Sequence, residues 1–250
     1  MVERAVPGFL ASRHGLRFAN AFPPGPTLRV GPFDTRFLGI GDASHGLCGG
    51  MALTARDLWA AGLEAPDDQA DPPANGSPRF RALVRRQVES LDWLRVPLRY
   101  LDLQALRPDP PAGLAARMGR EPARVVAIER EWPRIRAEID AGLPCVVGLI
   151  RVSGSSPWLL SRNHQVLAWA YSAESDEGEA RGGRATIRLR VYDPNHPGDD
   201  DVALLAEVGA DDGRPARERI DLRQSTGEPL LGWFRQPYPP PHGVRAWRPA

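Results

Sequence analysis

The spacing of apolar residues changes character partway along this chain. Met51 to Ala61 alternates apolar and polar positions with a helical period and is closed by Gly62 and Pro66. The spacing predicts a helix there. Phe80, Leu83, Val84, Val88, Leu91 and Leu94 repeat that period over Arg79 to Leu94, with arginines opposite, which predicts a surface helix with a solvated basic face. Ala123 to Ala141 is a third helix, carried by Val126, Ile128, Trp132, Ile135 and Ile139, irregular at Pro133 and stopped by Gly142-Leu143-Pro144.

Beyond that turn the period shortens. Cys145 to Ile150 is a short apolar run suited to a buried strand, and Gln165 to Tyr171 is a second. Thr186 to Tyr192 alternates strictly, as a half-exposed strand does, and pairs with the second run as a hairpin whose long polar tip is Ser172 to Arg184. Ala203 to Val208 and Leu230 to Phe234 are weaker strand candidates. Residues 1 to 40 form an extended arm, because Pro7, Pro23, Pro24, Pro26 and Pro32 bar a long helix. Helices followed by an antiparallel sheet predict an α+β fold: one domain over 1–250, with an arm (1–40), a mainly helical part (41–142) and a mainly β part (143–250).

Composition narrows the function. With 42% hydrophobic and 25% charged residues, a sizeable core is available. The net charge of +1 supplies no field for nucleic acid or an anionic membrane, although every one of the 32 basic residues is arginine. Neither a signal-peptide core nor a run long enough to span a membrane is present, so a cytoplasmic setting is expected, with signal-less export still compatible. Two cysteines are too few for a disulfide framework.

Those two cysteines sit in unlike settings. Cys145 lies in an apolar run, whereas Cys48 lies in Ser44-His45-Gly46-Leu47-Cys48-Gly49-Gly50-Met51-Ala52, where a glycine-rich loop becomes a helix. A thiol at a helix start meets unpaired N–H groups and the positive end of the macrodipole, which favour thiolate. Thiol acyl transfer also needs an imidazole, an acceptor that orients it, and donors for the oxyanion. His164 opens one strand of the hairpin and Asp193 closes the other, so antiparallel pairing brings them together; Asn195 is the substitute for the third role.

Metal chemistry is disfavoured. No CxxC or HxxxH pair occurs, and the oxygen-rich run Asp193, Asn195, Asp199, Asp200, Asp201 lacks the spacing of a helix-loop-helix calcium site and reads as a solvated turn. His196 reads as a turn residue, and His14 and His242 have no supporting context.

The Cys-bearing helix, the Ala-Gly-Leu-Pro turn into a strand at Ala141 to Pro144, the strand opening with His164 and the strand ending in Asp193-Pro194 resemble the papain-like cysteine peptidase superfamily. Within it, they resemble the bacterial branch that includes the double-glycine leader peptidases of bacteriocin exporters. The resemblance covers about Gly41 to Pro197. It implies a papain-like fold, with Cys48 as nucleophile, His164 as base and acid, and Asp193 as orienting residue. The implied activity is a peptidase or amidase working through an acyl-enzyme on a peptide or protein, without a cofactor. An acyl transferase or glutamine deamidase is the alternative, and a non-catalytic binding protein is the second. The superfamily's glutamine before the cysteine is replaced here by Asp42, Ala43, Ser44 and His45. The oxyanion and cleft candidates are therefore the Cys48 N–H, Ser44, His45, Gln165 and Gly49.

Overall fold

The structure, a computed structural model, describes residues 1–23, 29–30, 33–34, 46–68, 70–109, 117–175, 184–209, 216–241 and 244–248. Its strands are β1 (Val2–Ala5), β2 (Arg29–Val30), β3 (Phe33–Asp34), β4 (Cys145–Ile150), β5 (His164–Ser175), β6 (Ala185–Tyr192), β7 (Ala203–Val208), β8 (Ile220–Gln224) and β9 (Gly232–Arg235). Its helices are α1 (Ala11–His14), α2 (Cys48–Ala60), α3 (Pro78–Ser90), α4 (Arg95–Ala105), α5 (Ala123–Val126) and α6 (Trp132–Asp140). One antiparallel sheet runs β8-β7-β6-β5-β4-β9, with β1 added to β5, and β2 and β3 form a separate ribbon. This is an α+β arrangement. Among the described residues no helix is long and apolar enough to cross a membrane.

The long strand β5 is the spine. On one edge it pairs with β4 from His164 to Ala168, and where β4 ends β1 takes over, from Ala170 to Ala173. On the other edge it pairs with β6, Leu167 opposite Tyr192, with a register shift between Ala168 and Ala170. The expected hairpin therefore forms, but Ser172 to Ser175, expected in its tip, extend β5 and pair with β6; residues 176–183 of the expected tip lie outside the described residues.

Helix α2 is buried from Gly49 to Leu58. A helix apolar on more than one side is an interior helix, and this one lies between two layers. Ala52, Leu53 and Ala55 join the sheet core with Val146, Val166, Ile135 and Trp233, while Met51 and Leu58 join a second cluster with Phe80, Leu83, Leu16 and Phe18. Full burial of one such Leu or Met is worth ~1.5–3 kcal/mol. Glycines allow the close approach, since a Cβ at Gly50 would stand 2.4 Å from the Leu83 carbonyl oxygen on α3.

The helical expectations need two corrections, and the third helix is irregular near Pro133 as expected. The run Arg79 to Leu94 is not one helix: α3 starts at the Ser77 cap, whose side chain accepts from Phe80 N–H, and ends at Ser90. Asp92 and Trp93 then take φ of 40° and 58°, and α4 begins at Arg95. Pro97 explains the break, because its ring would meet the Trp93 carbonyl in a continuous helix. Nor is the arginine face of α3 wholly solvated: Arg86 is 1% exposed and pairs with Asp57 of α2 at 2.9 Å and with Glu89 at 2.6 Å. Finally, the irregularity near Pro133 is a π-helical turn, Ala127–Glu131, between α5 and α6. It widens the helix before the proline, at the place where a proline ring strains an α-helical hydrogen bond.

The arm is more regular than expected, since it supplies β1 and α1. Strand β8 and helix α4 carried no expectation from the sequence. The second weak strand candidate forms at Gly232–Arg235, and the first at Ala203–Val208.

Candidate active site

Cys48 is the first residue of α2. Leu47 N–H before it donates to Asn20 Oδ1 at 2.6 Å, and Gly46 takes φ of +89° where a Cβ would strike the Asn20 amide. Asn20 also reaches the segment after Asp193, through its own N–H to the Pro194 carbonyl and its Nδ2 to Asn195 Oδ1. The arm thus joins the loop before Cys48 to the end of β6.

His164 opens β5 and is 4% exposed; Asp193 follows β6 and is fully buried. His164 Nε2 donates to Asp193 Oδ1 at 2.6 Å. With Nε2 occupied, the ring is left with Nδ1, and the Cys48 thiol, which lines the same pocket, interacts with the imidazole. The same carboxylate accepts from Asn195 N–H at 2.8 Å and from Gln224 Nε2 at 2.8 Å, and Arg151 stands 3.6 Å from its second oxygen. A buried carboxylate so surrounded stays ionised.

The charges follow from this packing. Burial pushes the Cys48 thiol up, but the His164 imidazole and the N–H groups of Gln165 and Gly49 outweigh it, leaving the thiol below its ordinary value. Burial alone would lower His164; the charges of Asp193 and Cys48 lift it to about 9. Burial likewise opposes the Asp193 charge, and His164 and Asn195 N–H hold that carboxyl well below the usual range. Cys145 differs: burial in β4 drives its thiol well up. Both shifts run toward the thiolate–imidazolium form of the Cys48–His164 pair.

A pocket opens over this pair. It is lined by Gly46 and Cys48 at the start of α2, by Gln87 and Leu91, by Pro97 and Tyr100 of α4, and by Leu160 to Gln165 around the start of β5, leaving out Arg162. Among the described residues, no fixed charge lines it apart from the Cys48–His164 pair.

Ser44 and His45 lie outside the described residues. Asn195 contacts the site through its backbone, while its side chain bonds Asn20; Asp193 occupies the place for which Asn195 was the substitute. Gln165 lines the pocket, but its Nε2 donates to Gln236 Oε1 at 2.9 Å, and it turns its carbonyl oxygen toward Gly49. That orientation is fixed by a relay, since Gln236 Nε2 donates to Tyr100 Oη and the Tyr100 hydroxyl donates to the His164 carbonyl. Gly49 is the residue against which this amide packs, and a Cβ there would lie 1.6 Å from Gln165 Oε1.

Of the acidic run, Asp200 binds Ser12 N–H at 2.9 Å and its hydroxyl at 2.6 Å, and Asp199 accepts from Asp201 N–H. His196 pairs with Glu228 at 2.6 Å, and His14 stacks on Phe9. Among the described residues no cluster of His, Cys, Asp or Glu is arranged to hold a metal ion.

Sequence reasoning missed Gln87, Tyr100, Arg151, Gln224 and Gln236. They stand on five segments far apart in the chain, and amides in amphipathic runs carry no local signal. Comparison with protein-family models, with curated proteins and with solved structures gives no match to this chain.

Proposed function

We propose that this protein is a thiol hydrolase of papain-like arrangement, a peptidase or amidase acting on a peptide or protein. The observation that carries the reading is the ordered contact thiol, imidazole, carboxylate, with a His164 to Asp193 distance of 2.6 Å, beneath an open pocket. A buried ion pair serves packing poorly, because desolvation offsets most of its attraction. It serves nucleophilic catalysis well.

The chemistry follows from the two charges. Cys48 thiolate attacks the carbonyl carbon, an S–C bond forms, and the carbonyl π electrons move onto oxygen. When that oxyanion collapses, the C–N bond breaks and the leaving amine takes the imidazolium proton of His164. Neutral His164 then removes a proton from water, water adds to the thioester, and the thiolate leaves. Asp193 holds the ring and its charge throughout.

The test is an acyl-enzyme. Treated with p-nitrophenyl acetate, the protein is expected to gain one acetyl group at Cys48 by intact mass and peptide mapping, and to lose it to water. Discharge to an added amine much faster than to water turns the assignment to a transferase. Absence of any Cys48 adduct, with the thiol unreactive, leaves a binding protein and overturns the proposal.

A further inference from the structure

Acyl transfer leaves a negative oxygen beside Cys48, and donors must already point at it. Among the described residues lining the pocket, six besides Cys48 carry polar side chains: Gln87, Tyr100, Ser161, Asn163, His164 and Gln165. Five are engaged. The Tyr100 hydroxyl donates to the His164 carbonyl, the Ser161 hydroxyl to the Trp158 carbonyl, Asn163 Nδ2 to Gln104, and Gln165 Nε2 to Gln236, while His164 serves the proton transfers.

Gln87 is different. Gly50 N–H, in the first turn of α2, can only donate, and at 2.9 Å it fixes the near atom of the Gln87 amide as Oε1. The other atom is therefore Nε2, which has no partner among the described residues. The side chain is 95% buried, and it lines the pocket. It is rigid as well as free: the Gln87 carbonyl accepts from Ser90 Oγ at 2.7 Å, and the bare Cα of Gly50 lets α3 approach until a Cβ would sit 3.0 Å from Gln87 N. The Gly49-Gly50 pair thus presses the amide of the following helix against the turn that starts with the nucleophile.

We propose that Gln87 Nε2 is a catalytic donor to the oxyanion, acting together with the Cys48 N–H, which has no partner among the described residues. This rests on the acyl-transfer reading above. In the step concerned, the carbonyl oxygen gains its charge as the S–C bond forms, the Gln87 N–H shortens its hydrogen bond to it, and no proton is transferred by Gln87.

Two reactions separate this role from a structural one. Alkylation of Cys48 by iodoacetamide displaces iodide and forms no oxyanion, whereas acetylation by p-nitrophenyl acetate does. Their ratio, taken at one pH, also cancels any change in thiolate fraction. Gln87→Glu keeps an oxygen for Gly50 N–H and removes the donor; Gln87→Met removes both. The expected result is that the acetylation-to-alkylation ratio falls roughly ten- to a hundred-fold in both variants, while Gln87→Glu keeps the wild-type unfolding midpoint. An unchanged ratio in both variants, with only Gln87→Met losing stability, makes Gln87 a helix-start brace and overturns the proposal. Wild-type protein alkylated at Cys48 but never acetylated overturns the acyl-transfer reading itself, and this proposal with it.

Discussion

At the residue, reactivity depends on two linked protons. The thiol of Cys48 is held below its ordinary value and His164 is raised to about 9, so the reactive pair exists between those two points. Acylation should rise with pH as the thiol ionises and fall above about 9 as the imidazolium loses the proton that the leaving group needs. In Asp193→Asn the charge that lifts His164 is gone. The falling limb then moves to lower pH, and acylation drops on the order of 100-fold or more, measured as a pH–rate profile. A falling limb that stays where it was would detach Asp193 from the imidazole. These three residues were legible from chain order and strand pairing alone. The amides around them were not, because a glutamine reads the same on a solvated face as in a buried relay.

At the element, the start of α2 is set by what presses on it. Gly50→Ala places a methyl group 2.4 Å from the Leu83 carbonyl, so α2 and α3 must part, at about 1–3 kcal/mol in denaturant unfolding. The same shift carries Gln87 off Gly50 N–H and should slow acetylation. Arg86 braces the two helices further along: Arg86→Met removes a buried guanidinium paired with Asp57 at 2.9 Å and is expected to cost at least ~1–3 kcal/mol, read from the urea midpoint. A cost below about 1 kcal/mol would make the pair an exposed-type ion pair, contrary to its burial. Apolar spacing located α2 and α3 but misjudged the arginine face, since periodicity tells which side is polar and not what packs against it. The break after Ser90 had its signal in Pro97, whose ring restricts residues upstream of itself.

Over the whole molecule, the site is assembled by the sheet. His164 is held by β4 on one edge of β5, Asp193 by the end of β6 on the other, and β1 covers only the part of that first edge beyond Ala168. Deleting Met1 to Ala5 should therefore lower the thermal midpoint by a few degrees and leave Cys48 alkylation within about two-fold. A collapse of alkylation would show that the arm, not β4, sets the register of His164. The order of helices before strands was readable from the change of period near Pro144, as were β4 to β7. Strand β8 was not, since five residues with three polar among them leave no clear period, and neither was the Asn20 clamp, whose partners Leu47, Pro194 and Asn195 are distant in the chain. What unites the three scales is one claim: that Cys48 is a thiolate kept so by His164. Competitive labelling with iodoacetamide at pH 7, read by peptide mass spectrometry, tests it most directly. Cys48 is expected to react on the order of 100-fold faster than Cys145, and His164→Ala to remove most of that advantage; equal slow labelling of both thiols in the wild-type protein would contradict the account.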